Sequence, residues 1–221
     1  VNAIFKIRHE VLQSIRDTFI KRKFLEVNTS KIIGQAVEGG ANLFQIEYFG
    51  KNAFLSQSPQ LYKEQLTLSL ERVFEIAGYF RAEKSHTTRH LNEFISVDIE
   101  AAFMNENDVM EIAEIMVVNA IRRIVRNSKE ELRILGKTLD IPLTPFPRIS
   151  YENILKELQE GGIDIKYGDD LTDHCLLELG KNHKGYYFIT EWPTILKPFY
   201  IEIFEDHLIL FMNTSDFQCN V

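Results

Sequence analysis

Two alternating stretches on either side of a polar loop constrain the fold of this chain more than any other feature. Val73–Ala82 and Glu93–Phe103 alternate apolar residues with other types and are rich in β-branched and aromatic side chains, which is typical of half-buried strands. The segment between them, Glu83–Asn92, is mostly polar and carries two histidines, one lysine and one arginine. This arrangement predicts a β-hairpin with a charged tip.

The predicted hairpin brings chemically useful side chains onto shared faces. Residues two apart on a strand point to the same side, so Arg81 and Glu83 point together, as do Phe94 and Asp98. An arginine fork suits a phosphate or a carboxylate, and an aromatic ring offers a flat apolar surface to a base. From these residues alone two interpretations stay open: a nucleotide site, or an exposed hairpin whose surface ion pairs contribute about 0–1 kcal/mol each.

The motif FRAE, a loop and then RHLNEFISVDIE resembles motif 2 of the class II aminoacyl-tRNA synthetases, in the form found in aspartyl-tRNA synthetases of archaeal and eukaryotic type. Further segments support the resemblance, which covers about residues 4–200. They are FLEVNTSKIIG, similar to motif 1; QAVEGGA, similar to the flipping loop; QSPQLYK, similar to the aspartate-recognition segment; and EWPTILKPFY, similar to a DWP-x3-(K/R)PFY stretch.

Two positions depart from the family pattern. Ser30 stands where the family has a proline, which removes a fixed φ at the entrance to the motif 1 strand. Glu191 replaces the family's aspartate in the last of these segments. The resemblance implies a homodimer formed through the N-terminal helix, predicted at Asn2–Arg22, and the strand that follows it. Whether Ser30 weakens that dimer stays open.

The fold implied by the resemblance is α+β: an antiparallel sheet flanked by helices, with a small helical insertion. The order of strands and helices agrees, because it contains no repeated βαβ units. The whole chain, residues 1–221, is expected to be a partial class II catalytic domain, with a connector and insertion at about 128–185. Helices are predicted at Asn107–Ile124, Ile149–Gly161 and Thr172–Lys181.

The function implied by the resemblance is that of an aspartate–tRNA ligase, which activates aspartate with ATP and transfers it to the 3′ end of tRNA(Asp). Arg81 is the expected catalytic residue. The resemblance assigns the aspartate site to Glu38, Gln60, Lys63 and Arg81. It assigns the ATP site to Arg81, Ala82, Glu83, Arg89, His90, Leu91 and Phe94. In this family Lys63 would pair with the substrate's side-chain carboxylate, and Phe94 would stack on adenine.

The expected cofactor is ATP with Mg²⁺, and no metal ligand is assigned within this chain. The family's metal-binding carboxylate and its Gly-x-Gly-x-x-Arg motif 3 are expected beyond the 221 residues. Two alternatives therefore stay open. One is a truncated or catalytically silent paralogue that acts as a binding or dimerisation module. The other is an asparaginyl-type relative, although KPFY and Lys63 favour the aspartyl type.

Composition predicts a cytoplasmic protein that does not enter membranes. The chain has no apolar run of about 18 residues and no recognisable secretory signal. Its two cysteines, Cys175 and Cys219, are far apart and are expected to be free thiols. The net charge of −7 opposes a general nucleic-acid-binding surface but leaves room for local basic patches.

Overall fold

The computed structural model describes residues 1–34, 43–82 and 91–196, together with the backbone of 209–212. These residues fall into two compact units. One unit contains 16–103, and the other contains 1–15 with 104–221. The first helix contributes residues to both.

Six α-helices and nine strands are described, with a short 3-10 turn at Thr194–Leu196. The helices are α1 (Asn2–Lys21), α2 (Gln60–Leu70), α3 (Glu106–Asn127), α4 (Lys129–Ile134), α5 (Tyr151–Glu160) and α6 (Asp173–Asn182). The strands are β1 (Leu25–Glu26), β2 (Ile32–Ile33), β3 (Gln45–Tyr48), β4 (Lys51–Leu55), β5 (Arg72–Phe80), β6 (Glu93–Ala101), β7 (Arg148–Ser150), β8 (Tyr186–Thr190) and β9 (Ile209–Met212).

The predicted hairpin is confirmed. Strands β5 and β6 pair antiparallel from Arg72 opposite Ala101 to Phe80 opposite Glu93. Both strands end two residues earlier than predicted. At the end of β6, Phe103 adopts a left-handed φ of 62°, which turns the chain out of the sheet. The parallel partner of β5 is β1, so the first sheet has the order β1-β5-β6.

The strand expected after α1 is divided into β1 and β2. β1 joins the hairpin sheet, whereas β2 pairs antiparallel with β4 in a second sheet of order β2-β4-β3. Between them, the amide and the hydroxyl of Thr29 donate to the side chain of Glu75. The Glu75 side chain thus accepts the hydrogen bond of the Thr29 amide, which in a continuous strand would go to the backbone of a neighbouring strand.

Aromatic residues close the core of the 16–103 unit. The Phe19 ring centroid lies 5.1 Å from that of Phe74 and 5.7 Å from that of Phe24, and all three side chains are buried. These separations fall in the favourable range for aromatic pairs. The end of α1 is therefore packed onto β5 through its aromatic side chains, on the face of β5 opposite to that of Arg81.

In the second hairpin, formed by β3 and β4, the turn lies at Phe49 and Gly50, both with positive φ. Two consecutive left-handed residues make the turn type whose twist matches that of paired strands. Glycine suits the second of these positions because it has no Cβ. Strand β4 leads from this turn to α2, where Pro59 occupies the N-cap.

In the other unit, helix α3 begins with a complete capping box. The Asn105 side chain accepts hydrogen bonds from the amides of Asn107 and Asp108, and the Asp108 carboxylate accepts one from the Asn105 amide. The helix also carries a buried carboxylate, that of Glu114, which accepts a hydrogen bond of 2.9 Å from the amide of Phe146.

The region predicted to be the insertion contains the two predicted helices, α5 and α6, and also part of a sheet. Ile149 and Ser150, predicted as helix, belong to β7, which pairs parallel with β8. Ser150 then caps α5 by accepting from the Asn153 amide. Residues Tyr151, Leu179 and Trp192 belong to one buried cluster here. The fold class is therefore α+β, as predicted. None of the described helices has the length and apolar composition of a membrane span.

Candidate active site

One face of the β5–β6 hairpin carries most of the polar side chains of the candidate site. The register places Glu75 opposite Asp98 and Tyr79 opposite Phe94. Arg81 follows two residues after Tyr79, and its amide donates a hydrogen bond of 3.0 Å to the carbonyl of Asn92, so the ladder continues beyond the strand. By this register and the two-residue repeat, Arg81, Phe94 and Asp98 share this face. The sequence predicted that Phe94 and Asp98 point together, and the register adds Arg81 to them.

Arg81 and Phe94 are in direct contact. The guanidinium carbon of Arg81 lies 5.4 Å from the centroid of the Phe94 ring, within the range of a cation–π interaction. Such a contact contributes about 0.5–1 kcal/mol at an exposed site. The structure therefore brings together the arginine expected to grip phosphate and the ring expected to hold adenine. It also places the guanidinium over the ring that a base would use.

Lys63 reaches the same face from α2. Its Nζ lies 3.6 Å from Asp98 Oδ1 and 3.5 Å from Glu100 Oε2, and it donates a hydrogen bond of 3.4 Å to the carbonyl of Ile99. These distances are long for charge-assisted hydrogen bonds. The ammonium group is therefore shared between two carboxylates, and neither binds it tightly.

Gln60, expected to support Lys63, points along its own helix. Its side-chain amide donates a hydrogen bond of 2.7 Å to Glu64 Oε1. The two residues share α2, but their side chains are directed to different partners in this structure. Gln60 would need to change rotamer to act beside Lys63.

Asp98 has an unmatched oxygen. Within the part of the chain that the structure describes, its Oδ2 is buried and accepts no hydrogen bond. A buried acceptor without a donor is costly, and more so when it is charged. This oxygen belongs to the same carboxylate whose Oδ1 faces Lys63.

The sequence analysis missed a partly buried polar cluster on the same face, which we call the Lys31–Glu75 cluster (Thr29, Lys31, Glu75 and Tyr79). Glu75 is 1 % exposed. Its carboxylate accepts hydrogen bonds from Lys31 Nζ at 2.6 Å, from the Thr29 amide at 2.9 Å, and from the hydroxyls of Thr29 and Tyr79 at 2.8 Å each. Lys31 also donates to the Tyr79 hydroxyl at 2.9 Å.

Burial and hydrogen bonding set the charges in this cluster. Burial opposes the charged form of Glu75, but the bonds from Lys31, Thr29 and Tyr79 outweigh it and lower the pKa of the carboxyl group. Burial, with the nearby Glu75 carboxylate, raises the pKa of the Tyr79 hydroxyl. At neutral pH the cluster therefore holds a carboxylate beside a neutral phenol. No local sequence pattern indicates it, because its bonded side chains lie 44 to 48 positions apart in the Lys31–Glu75, Thr29–Glu75 and Lys31–Tyr79 pairs.

Other predicted site residues are placed only in part. Ala82 is half-buried and Leu91 is exposed, on either side of the hairpin tip. Glu38, Glu83, Arg89 and His90 lie outside the described residues, so their roles stay predictions. Among the residues that the structure describes, no group of three or more His, Cys, Asp or Glu side chains could hold a metal ion.

Comparison with known proteins identifies the family. The family described as "tRNA synthetases class II (D, K and N)" matches residues 1–219. The chain belongs to this family. Among curated relatives of this class II chain, the aspartate–tRNA(Asp) ligase of Thermoplasma acidophilum is 47% identical over 201 residues, which cover 90% of the chain and 47% of the relative. The aspartate–tRNA(Asp/Asn) ligase of Methanothermobacter thermautotrophicus is 47% identical over 207 residues, covering 93% and 47%.

Solved structures of the family agree with the fold. The asparaginyl-tRNA synthetase of Pyrococcus horikoshii, complexed with asparaginyl-adenylate, superposes with a TM-score of 0.85 at 36% identity and covers 91% of this chain and 47% of that one. The aspartyl-tRNA synthetase of Entamoeba histolytica gives a TM-score of 0.78 at 26% identity, covering 96% and 43%. The chain spans about half the length of the curated relatives described above.

Proposed function

We propose that this class II synthetase chain serves the activation of aspartate with ATP, giving aspartyl-adenylate, and its transfer to the 3′ end of tRNA(Asp). The observation that carries the proposal is the convergence of Lys63, Arg81 and Phe94 on one face of the hairpin. The identity to ligases named for aspartate supports the choice of amino acid.

In the proposed first step an oxygen of the aspartate α-carboxylate attacks the α-phosphorus of ATP. The bond from that phosphorus to the bridging oxygen breaks, and pyrophosphate leaves. The enzyme forms no covalent bond, so its contribution is orientation and charge neutralisation. Arg81 would span the carboxylate and the α-phosphate, and its hydrogen bonds would strengthen as negative charge gathers on the phosphoryl oxygens. Its contact with Phe94 holds it beside the ring proposed for adenine.

At the amino-acid end, Lys63 would bind the side-chain carboxylate of aspartate. Because Lys63 faces Asp98 and Glu100, the incoming carboxylate competes with two residues of the protein. The ammonium group of the substrate would offset that competition by pairing with Glu38. Glu38 and Gln60 are the further proposed ligands of the amino acid.

At the nucleotide end, adenine would stack on Phe94, with Ala82 and Leu91 beside it. Glu83, Arg89 and His90 would contact the nucleotide from the hairpin tip. Mg²⁺ bound with ATP would neutralise phosphate charge, and we assign no ligand of this chain to it. A homodimer through α1 and the strands that follow it, and a cytoplasmic location, complete the proposal.

The test, made on the full-length protein, is aspartate-dependent exchange of pyrophosphate into ATP, followed by charging of tRNA(Asp). We expect exchange with aspartate and little with asparagine. Arg81→Ala should slow exchange about 100- to 1,000-fold, the usual effect of removing a donor that stabilises transition-state charge. Arg122→Ala, at an exposed position of α3, is the matched control and should leave the rate unchanged. Near-normal exchange in Arg81→Ala would refute the assignment, and a preference for asparagine would refute the substrate.

A further inference from the structure

The Lys31–Glu75 cluster connects two parts of the candidate site that are distant in sequence. Besides its side-chain bonds, Lys31 accepts a backbone hydrogen bond of 2.9 Å at its carbonyl from the amide of Ser56. The carbonyl of Ser56 in turn accepts a bond of 3.0 Å from the amide of Phe80. Ser56 lies four residues before α2, the helix of Lys63, and Phe80 immediately precedes Arg81.

The side chains of the cluster fix the other end of this connection. Glu75 and Tyr79 belong to β5, whereas Thr29 and Lys31 belong to the segment between β1 and β2. Tyr79 is also the cross-strand partner of Phe94, the ring that Arg81 covers. A displacement of the cluster would therefore shift Phe94 through its cross-strand partner Tyr79, and would shift Arg81 through the backbone of β5.

The chemistry of the cluster suits orientation better than general stabilisation. A buried ion pair adds little net stability over apolar residues of similar size, because desolvation offsets the attraction between the charges. It does impose defined directions, since each oxygen of the Glu75 carboxylate already accepts two hydrogen bonds. A saturated group of this kind leaves few alternative arrangements.

We propose that Lys31 and Glu75 are positioning residues of the active site, which hold the α2 segment with Lys63 and the β5 strand with Arg81 in a fixed mutual geometry. Neither residue is proposed to touch a substrate. The catalytic consequence rests on the proposed function, whereas the geometric claim does not.

The geometric claim is tested by amide hydrogen exchange followed by nuclear magnetic resonance. In Lys31→Met, which leaves the Glu75 carboxylate without its cation, exchange at the amides of Ser56 and Phe80 should rise about tenfold, as expected for the loss of roughly one net hydrogen bond. Amides of α3, such as that of Ile121, should exchange as in the wild type. Arg16→Met removes the ion pair to Glu26 in the same unit and is the matched control, with no rise at Ser56.

The catalytic consequence is tested by kinetics on the folded variants. Because small misplacements of reacting groups can cost about a hundredfold in rate, Lys31→Met and Glu75→Gln should lower kcat for exchange by about 10- to 100-fold. The KM values for aspartate and ATP should stay within about threefold. Lys31→Arg, which keeps a cation beside Glu75, should restore kcat. A residue that only stabilised the fold would leave kcat per folded molecule unchanged.

The outcomes separate this proposal from the proposed function. A wild-type protein without exchange activity would refute the function, and hydrogen exchange would still decide the geometric claim. No rise at Ser56 and Phe80, or an equal rise throughout the chain, would overturn the positioning role. A local rise accompanied by wild-type kcat in an active protein would overturn it too.

Discussion

Replacing Lys63 by methionine should destabilise the protein more than breaking a shorter ion pair elsewhere in the same unit. Lys63 Nζ lies 3.6 Å from Asp98 Oδ1, and the two side chains are 13% and 17% exposed. Arg16 Nε lies only 3.0 Å from Glu26 Oε1, but those side chains are 34% and 35% exposed. If the distance between the charges determined the loss of stability, Arg16→Met would cost more free energy of unfolding. If burial determines it, Lys63→Met would cost more.

Estimates of the electrostatic energy indicate that burial determines the larger loss of stability. Two unit charges about 4 Å apart attract by about 4 kcal/mol at an effective dielectric constant of about 20, and by about 1 kcal/mol in water. Desolvation lowers the net value, but removing one member of a buried pair leaves the other uncompensated. Because the contacts of Lys63 are long, we expect Lys63→Met to lower the free energy of unfolding by about 2 kcal/mol. Arg16→Met should cost at most about 1 kcal/mol.

The assay is urea denaturation followed by far-ultraviolet circular dichroism, at low and at high salt. The effect of Arg16→Met should shrink in about 1 M salt, because screening acts mainly on exposed pairs. The double variant Lys63→Met/Asp98→Asn should regain part of the lost stability, since it removes a stranded charge, and should still fail to bind aspartate. The reasoning is refuted if Arg16→Met costs as much as Lys63→Met. The proposed role of Lys63 is refuted if the double variant binds aspartate normally.

Three further predictions concern the other unit. Burial opposes ionisation of Glu157, but hydrogen bonds from Asn182 and His183 outweigh the effect of burial and lower the pKa of the carboxyl group. The ionised carboxylate therefore contributes its full stabilisation above the unfolded-state pKa of about 4.3, and this stabilisation is lost as pH falls through the lower folded-state pKa. Denaturation between about pH 7 and pH 3 should show a shallower loss in Glu157→Gln, and an unchanged slope would contradict this. Asn105→Ala should cost about 1 kcal/mol by removing the cap of α3, measured by thermal unfolding against Asn153→Ala. Glu114→Ala should cost about 1–3 kcal/mol, because the buried Phe146 amide loses its acceptor, and exchange of that amide should rise if the assignment is right.

Local patterns predicted much of the fold. The alternation in Val73–Ala82 and Glu93–Phe103 located both strands of the hairpin, because a half-buried strand needs apolar residues at every second position. Helix α3 was found from its apolar stripe, and the short insertion helices from theirs. The boundaries were less accurate. Ile149 and Ser150 were predicted as helix but belong to β7, whose parallel partner β8 lies far along the chain. A strand whose partner is distant has little local signature.

Part of the candidate site was also accessible from sequence. Arg81, Phe94 and Lys63 were singled out by motif, and the two-residue repeat placed Phe94 on the same side of its strand as Asp98. The shared face of Arg81 and Phe94 follows from the register of β5 and β6. The partners of Lys63 were not predicted, because the approach of α2 to Asp98 and Glu100 depends on how the helix packs on the hairpin. The direction of the Gln60 side chain, toward Glu64, was likewise a choice among rotamers that sequence spacing does not determine.

The sequence by itself determined most of the elements and which residues of one strand point together, because strand and helix periodicity are properties of neighbouring residues. The tertiary structure alone decided the Lys31–Glu75 cluster. Its side chains are separated by 44 to 48 positions across the Lys31–Glu75, Thr29–Glu75 and Lys31–Tyr79 bonds. A lysine in a loop and a glutamate in a strand each resemble ordinary surface residues. Only folding removes Glu75 from water, and only then do a cation and three further donors become necessary to it.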